Sequence, residues 1–186
     1  NGLPNWVTLP ISHNGQNHKI NDIQISDATD WRSKLIRSIK ENYSKAPYFK
    51  ESFEWISEII RFKTVFLWEY NLNTLQEIRR HLGLTKCQFV LQSTLHSDFH
   101  GTDLLIDLTQ KVGGTTYLSG NFAQNAYMED EKFPVANLKL IYQNFNHPTY
   151  PQIRSTDFVK GLSIIDVLMN IGAQNTNNLI LTSNVI

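Results

Sequence analysis

The sequence predicts an α/β protein with a Rossmann-like, mostly parallel sheet flanked by helices, a helical segment in the first half and an N-terminal hairpin. Three observations support this prediction. Apolar residues recur at helical spacing up to residue 82, strand-like and helix-like segments alternate from residue 102 to residue 145, and an Asn-Gly pair separates two apolar runs near the start. Because the joints between the alternating segments are short, we expect parallel pairing through right-handed crossovers.

The first half begins with the predicted hairpin and continues with three helices. The runs Trp6–Ile11 and Lys19–Ile25 flank Asn14-Gly15, a pair that is typical of a tight hairpin turn. Pro47 suits the first turn of the second helix, and Gly83 suits the end of the third. The apolar positions predicted to face inward are Trp31, Leu35, Ile36, Ile39 and Tyr43, then Phe49, Phe53, Ile56, Ile59 and Ile60, then Trp68, Leu72, Leu75, Ile78 and Leu82.

The second half supplies the alternating segments. The pattern predicts strands at Cys87–Leu91, Thr115–Leu118 and Leu138–Phe145, and helices at Thr102–Val112, Asn121–Glu131 and Ser163–Ile171. Gly172 is expected to end the last of these helices. After it, residues 175–178 are typical of a turn, and residues 179–181 of an edge strand or a frayed end.

Composition and charge limit the class of protein. A chain of 186 residues can form one core but is short for two full domains. Lys plus Arg equals Asp plus Glu, at 17 each, so there is no overall charge to attract nucleic acid or an anionic membrane. No apolar run approaches the length of a membrane span. The single cysteine, Cys87, excludes an intrachain disulfide and favours a cytoplasmic location, and we expect it to be buried and inert.

The strand-to-helix turn at Ser119-Gly120 is the first candidate for a binding site. A glycine permits close approach of a ligand, and the helix predicted from Asn121 would offer unpaired backbone N–H groups to an anion. A turn that serves packing alone explains the same residues equally well.

The loop Phe145–Gln152 is the second candidate, because two prolines stiffen it around one histidine. The reference pKa of histidine lies near neutrality, so His147 is the residue with the best chemistry for a general base. Tyr150 and Gln152 are positioned to orient a polar ligand. The alternative for His147 is a hydrogen-bonded structural role. We expect this loop and the Ser119-Gly120 turn to meet at one edge of the sheet.

Two polar groups near the middle of the chain have a functional and a structural interpretation. The side chains of His96, Asp98 and His100 are possible metal ligands, but no further residue has matching spacing, so we favour a polar loop. Asp103 and Asp107 are a possible carboxylate pair for acid–base chemistry, but with Lys111 they also form a typical solvated helix face, which we favour.

Two further groups are read in the same way. The first helix region is basic and would attract phosphate, although a solvated face explains it more simply. Ser163 and Asp166 fit a capping box before the last helix, and Asp166 is also a candidate to face the site. The basic residues of the first helix region, named above, are Arg32, Lys34, Arg37, Lys40 and Lys45.

The chain resembles the WbqC-like proteins, bacterial proteins often linked to O-antigen and other surface-polysaccharide gene clusters. No single motif is diagnostic, but the order and spacing of the motifs are specific. They are Trp6–Ile11, Asp30-Trp31-Arg32 with Lys34, Tyr43, residues 46–49, Gly101–Asp103, Gly114–Gly120, Tyr127, Phe145, His147-Pro148, Tyr150–Gln152 and residues 162–166.

The resemblance implies one WbqC-like domain over residues 1–186 that lacks the N-terminal strand and the His-Gln-Pro-aromatic loop with which such proteins begin. The chain starts at Asn1 rather than Met, and we expect it to be a fragment or a processed chain. The resemblance also implies a cytoplasmic role in making or decorating nucleotide-activated sugars, with transfer of an aminoacyl group such as glycyl to an amino sugar as one activity. The turn after Gly120 carries fewer small residues than is usual in this family.

Two hypotheses for function follow. In the first, the protein is an amide-forming transferase that acts on a nucleotide-linked amino sugar and uses no metal or other cofactor. In the second, it binds a nucleotide-sugar or glycan without catalysis. The oligomeric state stays open. For the transferase we assign His147 and Asp166 as catalytic, and as substrate-binding Ser119, Gly120, Asn121, Tyr127, Tyr150 and Gln152.

Overall fold

The structure is a computed structural model that describes residues 4–12, 19–154 and 157–183. Within these ranges the chain forms six α-helices and one pair of parallel strands, so helices dominate the fold. The chain divides into two compact units. The first unit comprises residues 1–85 and 147–179, and the second comprises residues 86–146 and 180–186. The single domain expected over residues 1–186 stays a prediction.

The first unit contains the three helices expected in the first half, α1 (Trp31–Tyr43), α2 (Phe49–Arg61) and α3 (Leu67–His81). The carboxylate of Asp30 caps α1 by accepting a hydrogen bond from the backbone N–H of Ser33 at 3.2 Å. The ring of Trp31 meets Tyr70 of α3 edge to face, with centroids 5.7 Å apart. Apolar periodicity therefore predicts the three helices correctly. The inward position predicted for Leu75 is wrong, since that side chain keeps 54% of its surface exposed. Buried side chains from these helices include Trp31, Ile39, Ile56, Ile59, Ile60 and Tyr70.

The segment before α1 is partly strand-like. Ile11 and Ile25 form an isolated antiparallel bridge. The N–H of Ser12 donates to the carbonyl of Gln24 at 2.9 Å on one side of that bridge. The two apolar runs therefore pair antiparallel, as a hairpin requires, while the predicted turn at residues 13–17 lies outside the described residues.

The last helix, α6 (Ile164–Ser183), is interrupted at Gly172, where φ is 79° and ψ is 170°. The backbone groups near the break find partners at the start of α2. The N–H of Tyr48 donates to the carbonyl of Met169 at 3.0 Å, and the N–H of Ala173 donates to Glu51 at 3.1 Å. The predicted end of a helix at Gly172 is confirmed, but a second helical stretch follows it.

The turn predicted at residues 175–178 and the edge strand predicted at residues 179–181 are wrong, since both segments are helical. The polar side chains that suggested a turn instead bond to the preceding turn of the helix. Asn175 Nδ2 donates to the carbonyl of Ile171 at 2.9 Å, and Thr176 Oγ1 donates to that of Gly172 at 2.7 Å.

The second unit contains α4 (Gly101–Lys111), β1 (Thr116–Gly120), α5 (Lys132–Val135) and β2 (Lys139–Gln143). The two strands pair in parallel, with Thr116 opposite Lys139 and Gly120 opposite Gln143. Phe133 of α5 is fully buried and stacks on Tyr117 with centroids 5.6 Å apart. The parallel pairing is confirmed, but the sheet of the described residues has two strands and is only loosely Rossmann-like.

Two further predictions for the second unit are wrong. Residues 87–91 form no strand, Cys87 is exposed, and Phe89 and Val90 keep 44% and 51% of their surface exposed, because a short apolar run does not by itself fix burial. The helix expected over residues 121–131 is a 3₁₀ helix at Asn121–Asn125. It ends there because the N–H groups of residues 126, 127 and 128 all point at the carbonyl of Ala123.

Candidate functional site

Asp166 lies in the first turn of α6 and is buried, with 5% of its surface exposed. In the predicted capping box, Asp166 would reach back to Ser163. Ser163 does accept a hydrogen bond from the N–H of Ile165 at 3.3 Å, but the carboxylate oxygens of Asp166 bond to residues from other parts of the chain. The acidic half of the capping box is therefore wrong, and the alternative role of Asp166 as a site residue stays a prediction.

Three donors converge on the carboxylate of Asp166. Its Oδ1 accepts a hydrogen bond from the hydroxyl of Tyr43 at 2.8 Å. Its Oδ2 accepts one from the hydroxyl of Tyr150 at 2.9 Å and one from Nε2 of Gln152 at 3.0 Å. Hydrogen bonds to a charged acceptor are stronger than those between neutral groups, so these contacts hold the carboxylate and both rings in place. We call these four residues the Asp166 cluster.

The segment that carries Tyr150 and Gln152 is itself fixed by hydrogen bonds. The side-chain amide of Gln152 bonds to both backbone groups of Val159, accepting from its N–H at 2.8 Å and donating to its carbonyl at 3.0 Å. Asn170 of α6 accepts from the N–H of Ile153 at 2.9 Å and donates to the backbone carbonyl of Asp166 at 2.8 Å. The loop is therefore pre-organised around the carboxylate.

Both tyrosines of the cluster hold their protons more tightly than a free tyrosine. Burial raises the pKa of Tyr43 well above its usual value, and the hydrogen bond and the charge of Asp166 add to the effect. Burial raises the pKa of Tyr150 to about 12, with the charge of Asp166 acting in the same direction and the Gln152 hydrogen bond opposing it. At neutral pH both hydroxyls are therefore donors to the carboxylate.

His147 has both ring nitrogens engaged within the first unit. Its Nδ1 donates to the carbonyl of Pro148 at 2.9 Å, and its Nε2 accepts from the N–H of Gly161 at 3.1 Å. This arrangement requires the neutral tautomer with the proton on Nδ1. Phe158 contacts both His147 and Tyr150, with ring centroids 5.5 Å and 5.2 Å away. His147 thus lies next to the Asp166 cluster, and the lone pair that a general base would use is occupied.

The other four predicted site residues belong to the second unit. Ser119 is buried, with its hydroxyl 3.4 Å from the carbonyl of Gly120, while Asn121 is exposed and Tyr127 is 64% exposed. A Cβ at Gly120 would meet nothing within 4 Å, so no neighbouring group requires glycine there. The helix expected to begin at Asn121 is the five-residue 3₁₀ helix, which removes the extended row of free N–H groups on which anion binding was predicted.

The structure therefore brings together the predicted residues of the first unit, which are His147, Tyr150, Gln152 and Asp166. Contact of these residues with those of the second unit stays a prediction. Sequence reasoning placed Tyr43 only on the apolar stripe of α1 and missed its contact with Asp166. The signal that could have found it is its place among the motifs that carry the family resemblance.

Of the basic residues in the first helix region, Lys34, Arg37, Lys40 and Lys45 are exposed, whereas the Arg32 side chain keeps only 11% of its surface exposed, so the solvated-face interpretation is wrong for Arg32. The acidic and histidine groups near the middle of the chain make the following contacts. Lys111 pairs with Asp107 at 2.7 Å, and Asp103 pairs with Lys132 at 2.9 Å. Residues 96–100 lie in the loop before α4, where Lys111 also donates to the carbonyl of His96 at 2.9 Å. Across residues 4–12, 19–154 and 157–183, the side chains of His, Cys, Asp and Glu form no group of three or more that could hold a metal ion.

The fold and the cluster define a mixed α/β protein, dominated by helices, with a buried carboxylate held by two tyrosines and a glutamine. The chain belongs to the WbqC-like protein family, whose model matches residues 1–178. It is also similar to an uncharacterized protein of Mycobacterium tuberculosis, with 27% identity over 177 residues that cover 91% of this chain and 73% of that protein. No solved structure matches. None of the helices in the described ranges is long and apolar enough to cross a membrane.

Proposed function

We propose that the protein is a transferase of surface-polysaccharide biosynthesis that acts on a nucleotide-linked amino sugar, and that the Asp166 cluster binds the amino sugar. The observation that carries this proposal is the convergence of Tyr43, Tyr150 and Gln152 on one buried carboxylate. Hydroxyls, an amide and a carboxylate can exchange their mutual hydrogen bonds for bonds to the hydroxyls and the amine of a sugar. Membership of the WbqC-like family supports the link to polysaccharide synthesis.

The proposed reaction is aminoacyl transfer from an aminoacyl ester to the sugar amine. The amine attacks the carbonyl carbon, a C–N bond forms, and the ester C–O bond breaks. One amine proton passes to the hydroxyl oxygen of Tyr150 while the tyrosine proton passes to Asp166, and the proton then returns through Tyr150 to the leaving alkoxide. The high pKa of Tyr150 keeps it protonated between turnovers.

In this proposal His147 is a positioning residue rather than the base. Its two hydrogen bonds join Pro148 to Gly161 and so hold the loop that carries Tyr150. A direct role as general base, as the sequence predicts, requires Nε2 to be released from the Gly161 N–H. Replacement of His147 by Ala tests the general-base role, because loss of a general base lowers turnover by roughly two orders of magnitude or more and unchanged turnover would exclude that role.

A second candidate function is binding of a nucleotide-sugar or glycan without catalysis. The observation in its favour is that both ring nitrogens of His147 have partners within the protein. The ring therefore offers no titrating group to a ligand. Binding of this kind is expected to change little between about pH 6 and pH 8, where an unperturbed histidine titrates.

The test begins with a thermal-shift screen of nucleotide-sugars that carry a free amine, each matched with its N-acetylated form. The transferase proposal predicts stabilisation by the free amines that is smaller in Tyr150→Phe. It also predicts formation of an amide product when an aminoacyl ester is added. Equal stabilisation by both forms, with no amide product, would favour the binding function, and an absence of any shift would contradict both.

A further inference from the structure

Arg32 is the second residue of α1, and its guanidinium lies over the ring of Trp31, with Cζ 4.3 Å from the ring centroid. Its Nη1 donates a hydrogen bond to Oδ1 of Asp27, and the same oxygen accepts one from Nε1 of Trp31 at 3.1 Å. The Trp31 ring packs against one face of the guanidinium group, and the Asp27 carboxylate holds Nη1, so the orientation of the plane is fixed. The Arg32 side chain keeps 11% of its surface exposed.

The opposite edge of this guanidinium carries Nε and Nη2. Both atoms are buried, and neither has a hydrogen-bond partner among the residues that the structure describes. The N–H groups of this edge point in the same direction, in the fork that carboxylate and phosphate oxygens accept as a bidentate pair. Buried donors normally have partners because leaving them unpaired is unfavourable. The edge therefore faces a position where an acceptor would be stabilised.

The charges around Arg32 favour an anion there. The hydrogen bond from Arg32 is the largest influence that holds the pKa of Asp27 below its usual range, and the positive charge of Lys63 acts in the same direction. Asp27 therefore faces two cations and cannot neutralise both. The carboxylate of Asp30 is engaged with the N–H of Ser33 as the cap of α1. The N-terminal end of the helix dipole adds to the positive potential.

We propose that the Nε/Nη2 edge of Arg32 is a binding site for an oxyanion group, either a carboxylate or a phosphate. The site is separate from the Asp166 cluster, since Arg32 and Tyr43 lie three turns apart on α1, about 16 Å along the helix axis. It does not depend on the proposed transferase function. Because both nitrogens are buried, the side chains that cover them must move when the ligand enters.

The test is a titration of the ¹⁵N-labelled full chain with inorganic phosphate and, in a second arm, with acetate, following the Nε–H signal of Arg32 at constant ionic strength. The proposal predicts a saturable shift of that signal by at least one of the two anions, and the arm that saturates identifies the ligand group. The variant Arg32→Lys keeps the charge but lacks the fork, so affinity measured by calorimetry should fall at least tenfold. Arg37→Lys, on an exposed position of the same helix, should change affinity less than twofold.

A second variant keeps the proposal testable if Arg32→Lys does not fold. Asp27→Asn removes the carboxylate charge that pairs with Arg32 and leaves the fork in place, so it should bind the anion several-fold more tightly. An Arg32 signal that does not saturate in the wild-type protein with either anion would overturn the proposal. Wild-type affinity in Arg32→Lys would also overturn it, since the positive charge that lysine keeps would then explain binding without the fork.

Discussion

The hydroxyl of Tyr43 donates a hydrogen bond to Asp166 at 2.8 Å, although 123 residues separate them in the sequence. The bond joins the last residue of α1 to the first turn of α6. Because Tyr150 and Gln152 bond to the other oxygen of the same carboxylate, one side chain ties together three segments of the first unit.

The first prediction concerns the stability that this carboxylate provides. In Asp166→Asn, an amide nitrogen replaces one acceptor and faces groups that are themselves donors. We expect the free energy of unfolding to fall by roughly 2–4 kcal/mol, as for a buried hydrogen-bonded charge that loses its pairing. Urea unfolding of the variant measures the change. The control is Glu41→Gln on an exposed position of α1, which should lie within about 0.5 kcal/mol of the wild type; a similarly small effect for Asp166→Asn would contradict the account.

The second prediction concerns alkaline pH. The folded state raises the pKa of Tyr43 above that of an unfolded tyrosine, and it raises that of Tyr150 to about 12. Above the unfolded pKa of about 10, the unfolded chain therefore binds fewer protons than the folded chain. The stability that these groups contribute is complete below about pH 10 and is lost as pH rises toward about 12.

Urea unfolding between pH 8 and pH 11.5 should show this loss, and Tyr150→Phe should make the slope shallower. The alkaline slope of Tyr142→Phe, in the second unit, is the matched comparison for that of Tyr150→Phe. The hydroxyl of Tyr142 also donates to a carboxylate, that of Asp130 at 2.6 Å, and the pKa of Tyr142 is also raised to about 12. An alkaline slope that is the same with and without the Tyr150 hydroxyl would show that the cluster does not hold the proton.

The third prediction concerns the break in α6. Gly172 has a φ of +79°, and a Cβ there would lie 2.4 Å from Cδ1 of Tyr48. Gly113 has a similar φ of +71°, but its Cβ would meet nothing within 4 Å. We expect Gly113→Ala to cost about 1 kcal/mol of backbone strain and Gly172→Ala to cost roughly 2–4 kcal/mol, since the φ and ψ of Gly172 are essentially restricted to glycine and the ring must also move. Thermal unfolding of both variants checks the difference, and equal costs would show that Tyr48 moves aside freely.

The sequence predicts the first unit better than the second, for a physical reason. Helices α1 to α3 carry apolar stripes over three or more turns, and such long patterns leave little ambiguity. The segments that were predicted wrongly, at residues 87–91, 121–131 and 175–181, are short or polar. Residues 175–181 also make contacts with distant backbone that periodicity does not reveal, such as the hydrogen bond from Asn177 to the carbonyl of Leu82.

The sequence likewise predicts only part of the candidate site. His147, Tyr150 and Gln152 lie close together in a stiff loop, so their proximity is visible in the sequence. Tyr43 was not found, because periodicity places its ring on a buried face but says nothing about its hydroxyl. The hydrogen bonding of the His147 ring could not be predicted either, since the N–H that donates to Nε2 belongs to Gly161, 14 residues further along the chain.

The measurement that tests the central claim most directly compares two tyrosine variants in binding a nucleotide-linked amino sugar. Titration calorimetry measures this binding for the wild type and for each variant. Tyr150→Phe lacks one hydroxyl of the Asp166 cluster, and Tyr142→Phe lacks one of a similar pair in the second unit. The account predicts that Tyr150→Phe weakens binding of the free-amine sugar by about tenfold, as for one hydrogen bond to a charged site, while Tyr142→Phe binds like the wild type. Wild-type affinity in Tyr150→Phe, or no binding by any of the three proteins, would contradict the claim that the Asp166 cluster is the substrate site.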